Sequence, residues 1–251
     1  MSIVSFKKTE GFTLIELLIS ISLGIVAVSA IMFFYISTIT SSYSTLKASR
    51  LNNEISTLMA LMANDIKRAG YQADTLDPLT NSFHEADTIL KVSDQTIQVI
   101  REDSSISNTG NCITYSYDLN GSGEDDTDEY FGFRLNSNEV QMRFTNVDCS
   151  SDDWESITKK EEIFVSSLTF DVSRSTCLNT SEPDGEDQNG DSTTDDAEEY
   201  DCFIVTSGSD YIAVETWNID IEIDAYLTED SSIKVNQSQS VQVRNRYLRE
   251  E

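Results

Sequence analysis

The chain has 251 residues, room for one ordinary domain and a membrane span, and its 44 acidic against 17 basic residues give a net charge of −27. Such a chain repels phosphates, which excludes electrostatically driven binding of nucleic acid. A single histidine, His84, in a polar stretch, with no nucleophile motif and no glycine-rich phosphate loop, leaves no catalytic constellation, so no enzyme is expected.

The first element in the chain is an apolar run from Phe12 to about Ile39, preceded by Lys7, Lys8 and Gly11 and interrupted early by Glu16. A bilayer core of roughly 30 Å takes about 20 apolar residues as a helix, so the run is long enough to span it. The basic residues ahead of it predict a cytoplasmic N-terminus and an exported remainder. An ordinary secretory signal places its small-residue cleavage site after the apolar region. Here the best small residue, Gly11, comes before it, so cleavage there would leave the apolar helix attached. A carboxylate inside a membrane span is expensive, which marks Glu16 as functional.

After a serine- and threonine-rich stretch, apolar residues recur at Leu51, Ile55, Leu58, Met62 and Ile66. That spacing is one face of an amphipathic helix. Gly70, after Ala69, supplies a left-handed stop. A continuous helix from Phe12 to Ala69 would be about 90 Å long at 1.5 Å per residue. From Thr88 onward the pattern turns to short β-branched and aromatic runs, with strands expected at 88–92, 96–101, 113–117, 130–135, 140–144, 163–172, 203–206, 216–226 and 240–247. In Trp217-Asn218-Ile219-Asp220-Ile221-Glu222-Ile223-Asp224-Ala225 every second residue is apolar, one face in and one face wet. One helix followed by many strands reads as α+β, an antiparallel sheet laid on the helix's apolar face.

Two acidic stretches interrupt the strands: residues 118–129 and 182–201 hold 16 of the 44 carboxylates. The first fits the spacing of a twelve-residue calcium loop. Asp118, Asn120, Ser122, Glu124, Asp126 and Glu129 take positions one, three, five, seven, nine and twelve, with Gly123 at the sharp turn of position six. The second places Asp187, Asn189, Asp191, Thr193, Asp195 and Glu198 at the same spacing, but Ser192 stands where glycine is expected. Nearby, Asp184-Gly185-Glu186 offers another register. Calcium is therefore the expected cofactor, in a structural role, against the plainer reading of solvated acidic loops. All four cysteines lie beyond the apolar run, which fits disulfides formed in an oxidising compartment. Three connectivities are open. The pairing Cys112–Cys149 with Cys177–Cys202 is favoured because each bond then brackets one acidic loop.

The N-terminal run Lys7-Lys8-Thr9-Glu10-Gly11-Phe12-Thr13-Leu14-Ile15-Glu16 resembles the class III leader of type IV pilins and of type II secretion pseudopilins. The resemblance implies that a prepilin peptidase cuts after Gly11, that Phe12 is then N-methylated, and that Glu16 pairs with the free amine of a neighbouring subunit during assembly. It divides the chain into a leader (1–11), a transmembrane and assembly helix (12–40), an amphipathic half-helix (41–71) and a β-rich exported domain (72–251). Asn64-Asp65-Ile66-Lys67-Arg68-Ala69-Gly70-Tyr71 and the closing Val243-Arg244-Asn245-Arg246-Tyr247 are similar to PilW-type minor pilins, and in part to J-type minor pseudopilins. The implied function is structural: a minor pilin in the initiating or tip complex of a type IV pilus serving motility, adhesion or DNA uptake. The alternatives are a secretion pseudopilus component and a calcium-dependent adhesin. The implied partners are other minor pilins, the major pilin, the prepilin peptidase and the inner membrane.

Overall fold

The computed structural model describes residues 11–73, 98–100, 108–124, 126–187, 190–202 and 212–250. These contain helix α1 (Leu14–Ile66) and strands β1 (Gln98–Ile100), β2 (Thr109–Gly110), β3 (Cys112–Ser116), β4 (Tyr130–Asn136), β5 (Glu139–Arg143), β6 (Glu155–Ser156), β7 (Ile163–Asp171), β8 (Thr176–Asn179), β9 (Ile212–Thr216), β10 (Asn218–Leu227), β11 (Asp230–Gln242) and β12 (Tyr247–Glu250). His84 and the strands expected at 88–92 and 203–206 lie outside the described residues, as do the ends of 96–101.

The chain forms two compact units, Met1–Ser49 and Arg50–Glu251. In the first, α1 is predominantly apolar from Leu14 to Ile39 and its large apolar side chains are exposed, while residues 40–49 are mostly polar. It is long and apolar enough to cross a membrane. Its hydroxyl side chains turn back on their own helix: Ser20, Ser22, Ser29, Thr38, Thr40 and Thr45 each donate to the carbonyl four residues earlier, at 2.7–2.9 Å.

In the second unit the amphipathic face of α1 is buried as its spacing predicts. Leu51, Ile55, Leu58, Met62 and Ile66 are joined by Met59, Ala63 and Ala69. They share one core with Ile163, Val165, Leu168 and Phe170 of β7, the alternate residues Ile219, Ile221 and Ile223 of β10, and Ile113, Tyr115, Phe131 and Phe133 of β3 and β4. Removing each such side chain from water contributes about 1.5–3 kcal/mol. The antiparallel sheets run β1-β3-β4-β5-β6, β11-β10-β7-β2 and β12-β9-β8. Fold class is thus α+β, with one helix packed on antiparallel sheets.

β4 leaves no room for a side chain at Gly132. A Cβ there would sit 2.5 Å from the Ile113 carbonyl oxygen and 3.1 Å from both Arg143 Nε and Trp154 Cη2. Arg134 and Arg143 hold the loop after β5. Arg134 Nη1 donates to the carbonyls of Cys149 (2.5 Å) and Ser151 (2.7 Å) and lies over the Trp154 ring, while Arg143 donates to Phe131 and Val147. Disulfides join Cys112 to Cys149 and Cys177 to Cys202.

The strand expected at 240–247 is divided in the structure. β11 begins ten residues earlier and ends at Gln242, and β12 starts at Tyr247 on a different sheet. Between them the backbone turns to the helix end: Arg244 N donates to Lys67 O (3.1 Å), and Asn245 Nδ2 donates to the carbonyls of Arg68 (3.2 Å) and Ala69 (3.0 Å). Those orphan carbonyls of a helix terminus need donors, and Asn245 supplies them by leaving the strand.

Candidate functional site

Thr13 caps α1. Its amide donates to Glu16 Oε2 (3.0 Å), its hydroxyl donates to the same oxygen (2.9 Å), and Glu16 N donates back to Thr13 Oγ1 (3.3 Å). This is the capping box, Thr-x-x-Glu, in which the side chains at both ends satisfy each other's amides. Both Gly11 and Phe12, ahead of the cap, are exposed. Glu16 stands out in the sequence by its cost in an apolar run, whereas Thr13 carries no such mark and shows only in its spacing of three from Glu16.

The other end of the helix is clamped by the segment 64–73. Asp65 accepts from Tyr115 Oη (2.6 Å) and Tyr117 Oη (2.7 Å). Arg68 lies 4.2 Å from the centre of the Tyr117 ring. Burial, then the charge of Asp65 and its hydrogen bond, push the Tyr115 hydroxyl well above the ordinary tyrosine value. Burial, then the same carboxylate, raise Tyr117. Gly70, at φ 70°, donates to Ser116 O (2.9 Å), and Tyr71 O accepts from Asp118 N (2.8 Å). With Asn245 on the other side, the two segments that carried the PilW-type likeness meet at one helix end.

The first acidic loop begins on that clamp. Asp118 is buried and accepts from Gly121 N (2.6 Å) on Oδ1, and from Gly123 N (2.9 Å) and Ala73 N (2.9 Å) on Oδ2. Burial alone would push its carboxyl up, but the amides of Ala73, Gly123, Gly121 and Ser122 outweigh it and hold it below the usual value. Glu129, also buried, closes the loop by accepting from Leu119 N (2.8 Å), Asn120 N (3.3 Å) and Asp126 N (3.2 Å). Asn120 Nδ2 donates to Asp126 Oδ2 (2.8 Å), Asn120 Oδ1 accepts from Ser122 N, and Glu124 O accepts from the Ser122 hydroxyl. Gln72 Nε2 donates to Gly123 O, tying the loop to the segment after the helix.

The second loop repeats this turn. Asp187 accepts from Gly190 N (2.7 Å) on Oδ1 and from Ser192 N (2.8 Å) on Oδ2, the pattern of Asp118 with Gly121 and Gly123. Positive φ falls at the same two places, Gly121 (77°) and Gly123 (74°) against Gly190 (77°) and Ser192 (75°). Ser192 therefore adopts the backbone that glycine adopts in the first loop. The loops part company afterwards. Asp196 N donates to Glu199 Oε2 (3.3 Å), as Asp126 does to Glu129, and Glu199 is fully buried whereas Glu198 is exposed. The counterpart of Glu129 is thus Glu199, one residue beyond the Glu198 that strict spacing selects. Asp191 accepts from Thr193 N, while Asp195 accepts from Gly185 N and groups with Glu182 and Asp184, whose oxygens lie within 4.8 Å of one another. Asn189 lies outside the described residues.

Residues 44–243 match the family model described as prepilin peptidase-dependent protein B, and residues 6–32 match the prokaryotic N-terminal methylation motif. No curated protein and no solved structure matches the chain.

Proposed function

We propose that this chain, which belongs to the prepilin peptidase-dependent protein B family, is a minor pilin that helps to initiate or cap a type IV pilus. The family match and the methylation motif make it a pilin-like, structural protein and not an enzyme, and the motif implies processing by a prepilin peptidase. Processing after Gly11 would free the amine of Phe12 beside the capping box that holds Glu16. The observation that carries the reading is the division of α1: exposed apolar side chains from Leu14 to Ile39, a serine- and threonine-rich stretch after them, then from Leu51 a face buried in the β domain. Such a helix serves as an anchor first and as a packing element in a fibre afterwards. The PilW type is favoured by the meeting of segments 64–71 and 243–247 at the helix end, where Asp65, Arg68 and Asn245 each make a defined contact.

Complementation tests it. A strain lacking the gene should lose sheared surface pili, the intact gene should restore them, and Glu16→Ala should reduce incorporation at least tenfold while the protein still accumulates in the membrane. Normal pili with failed export of folded proteins would move the chain to a secretion pseudopilus. Incorporation of Glu16→Ala at the normal level would overturn the amine-pairing mechanism for both.

We further propose calcium as a structural ion of the acidic loops, Asp118 to Glu129 first. The spacing of oxygen donors, the glycine at position six and the recurrence of one turn in two loops support it. A bound ion would offset repulsion among the carboxylates that its loop gathers. Added calcium is expected to raise the unfolding midpoint of the full chain in detergent micelles by several degrees, and a midpoint unmoved by millimolar calcium would end the idea. An adhesive role of the loops would show as variants that keep pili but lose attachment.

A further inference from the structure

β11 is 13 residues long, and among the described residues it pairs along one side only, with β10. Its other side presents a row of peptide N–H and C=O groups, a ready template for another strand. Exposed edges are ordinarily blunted by charge, proline, bulges or shortness. From Val235 to Gln242 this edge has no charged residue and no proline, in a chain whose net charge is −27. The irregularity in its pairing is confined to the far end, at Tyr226/Leu227 of β10. Nor is the strand loosely held: Gln237 Nε2 donates to Asn52 Oδ1 and Ser56 Oγ on α1, both at 2.9 Å.

The outer face beside this edge says what would lie on it. Asn236, Ser238 and Ser240 are short and exposed. Directly behind them on β10 stand Asp224, Glu222 and Asp220, their register partners. Strands lie about 4.8 Å apart, so an added strand would run about 10 Å from β10, within reach of lysine or arginine side chains laid across the short ones. The molecule already makes this contact once from within: Arg174 bridges Ser240 Oγ of β11 and Asp220 of β10. Among the described residues, Glu222 and Asp224 are met there by the neutral amide of Asn236, at 3.0 and 2.9 Å, with Ser167 on the far oxygen of Asp224.

We propose that the edge of β11, unpaired among the described residues, takes an extended segment of a neighbouring fibre subunit, added as a further strand with basic side chains on the outer face toward Glu222 and Asp224. The identity of the neighbour as a fibre subunit rests on the minor-pilin reading. A second copy of this chain is a poorer occupant, since it would bring a second charge of −27 to the same edge.

The test uses the full chain in a strain lacking the gene, read as incorporation into sheared fibres. Because N–H groups alternate between the two sides of a strand, proline at one of the two adjacent positions Ser238 and Gln239 spares the β10 ladder. Variants whose unfolding midpoint in detergent stays within a few degrees of the intact chain are the informative ones. These are expected to lose incorporation at least tenfold, with alanine at the same positions harmless. Ser238→Lys and Ser238→Asp, both on the exposed face, supply the sign: the lysine should reduce incorporation at least fivefold and the aspartate should not. A folded proline variant incorporated normally, the opposite order of lysine and aspartate, or disulfide-linked pairs of copies from Ser238→Cys would overturn the proposal. Absence of the intact chain from fibres would instead strike the subunit reading, and this inference with it.

Discussion

Asp65→Ala is expected to lower the unfolding midpoint of the full chain by roughly 5–15 °C, which corresponds to about 2–4 kcal/mol for a domain of this size. The carboxylate accepts from two tyrosine hydroxyls, and Tyr115 is fully buried. Alanine removes the acceptor and leaves both hydroxyls in place, one of them without access to water. Leaving a buried polar group unsatisfied costs more than deleting it. Tyr115→Phe or Tyr117→Phe should therefore cost only about 1 kcal/mol each, because Asp65 keeps the other hydroxyl. A phenylalanine variant as damaging as Asp65→Ala would mean that ring packing, not the hydrogen bonds, holds the helix end. The same cluster sets an alkaline limit. Both tyrosines are raised in the folded chain above the ordinary value of about 10, so the folded state favours their protonated forms. That contribution is fully present below pH 10 or so and is lost as pH rises beyond it. The midpoint should be insensitive to tyrosine ionisation up to about pH 10 and fall above, with a shallower fall in Tyr117→Phe.

Gly132→Ala is expected to be the most damaging single methyl in the protein, at about 3 kcal/mol or more, and to show as failure to accumulate in the membrane. The glycine is not at positive φ, so the conflict is one of space alone. The first atom met, at 2.5 Å, is the backbone oxygen of Ile113 in the neighbouring strand, which cannot swing aside without breaking the β3–β4 pairing. Trp154 and Arg143, at 3.1 Å, close the other side. Gly24, around which a Cβ meets nothing within 4 Å, is the internal control: Gly24→Ala should accumulate normally. Equal accumulation of the two variants would show that the β3–β4–β5 layer yields more than its packing indicates.

The parts legible in the sequence were those where one physical requirement dominates. Burial of one helix face wrote itself at Leu51, Ile55, Leu58, Met62 and Ile66, and burial of one sheet face at alternate residues of β10. β11 was legible only at its last residues because a strand that meets α1 through Gln237 and faces water through Ser238 and Ser240 needs few apolar side chains. The closing segment read as one strand because Val243 and Tyr247 continue the alternation. What interrupts it is Asn245, whose partners lie some 176 residues away. Ser192 read as a defect in a calcium loop, yet its backbone follows the glycine path, a choice fixed by the Asp187 carboxylate that receives its amide. Gly132 gave no signal at all, since crowding across strands leaves no mark on the order of residues along one.

The hydroxyls of α1 that bond back to their own helix carry a mechanical consequence. A serine or threonine in an apolar helix ordinarily seeks a partner, and a partner found in one surrounding is lost on moving to another. Here Ser20, Ser22, Ser29, Thr38 and Thr40 bring theirs with them. These five hydroxyls therefore ask nothing of what touches the helix: under the minor-pilin reading they would meet hydrocarbon first and the flanks of other helices later, with no bond of their own to break in passing. On that reading extraction would work mainly against van der Waals contact and the burial of carbon, both of which a bundle of like helices would restore, leaving Glu16 as the charge that needs a partner.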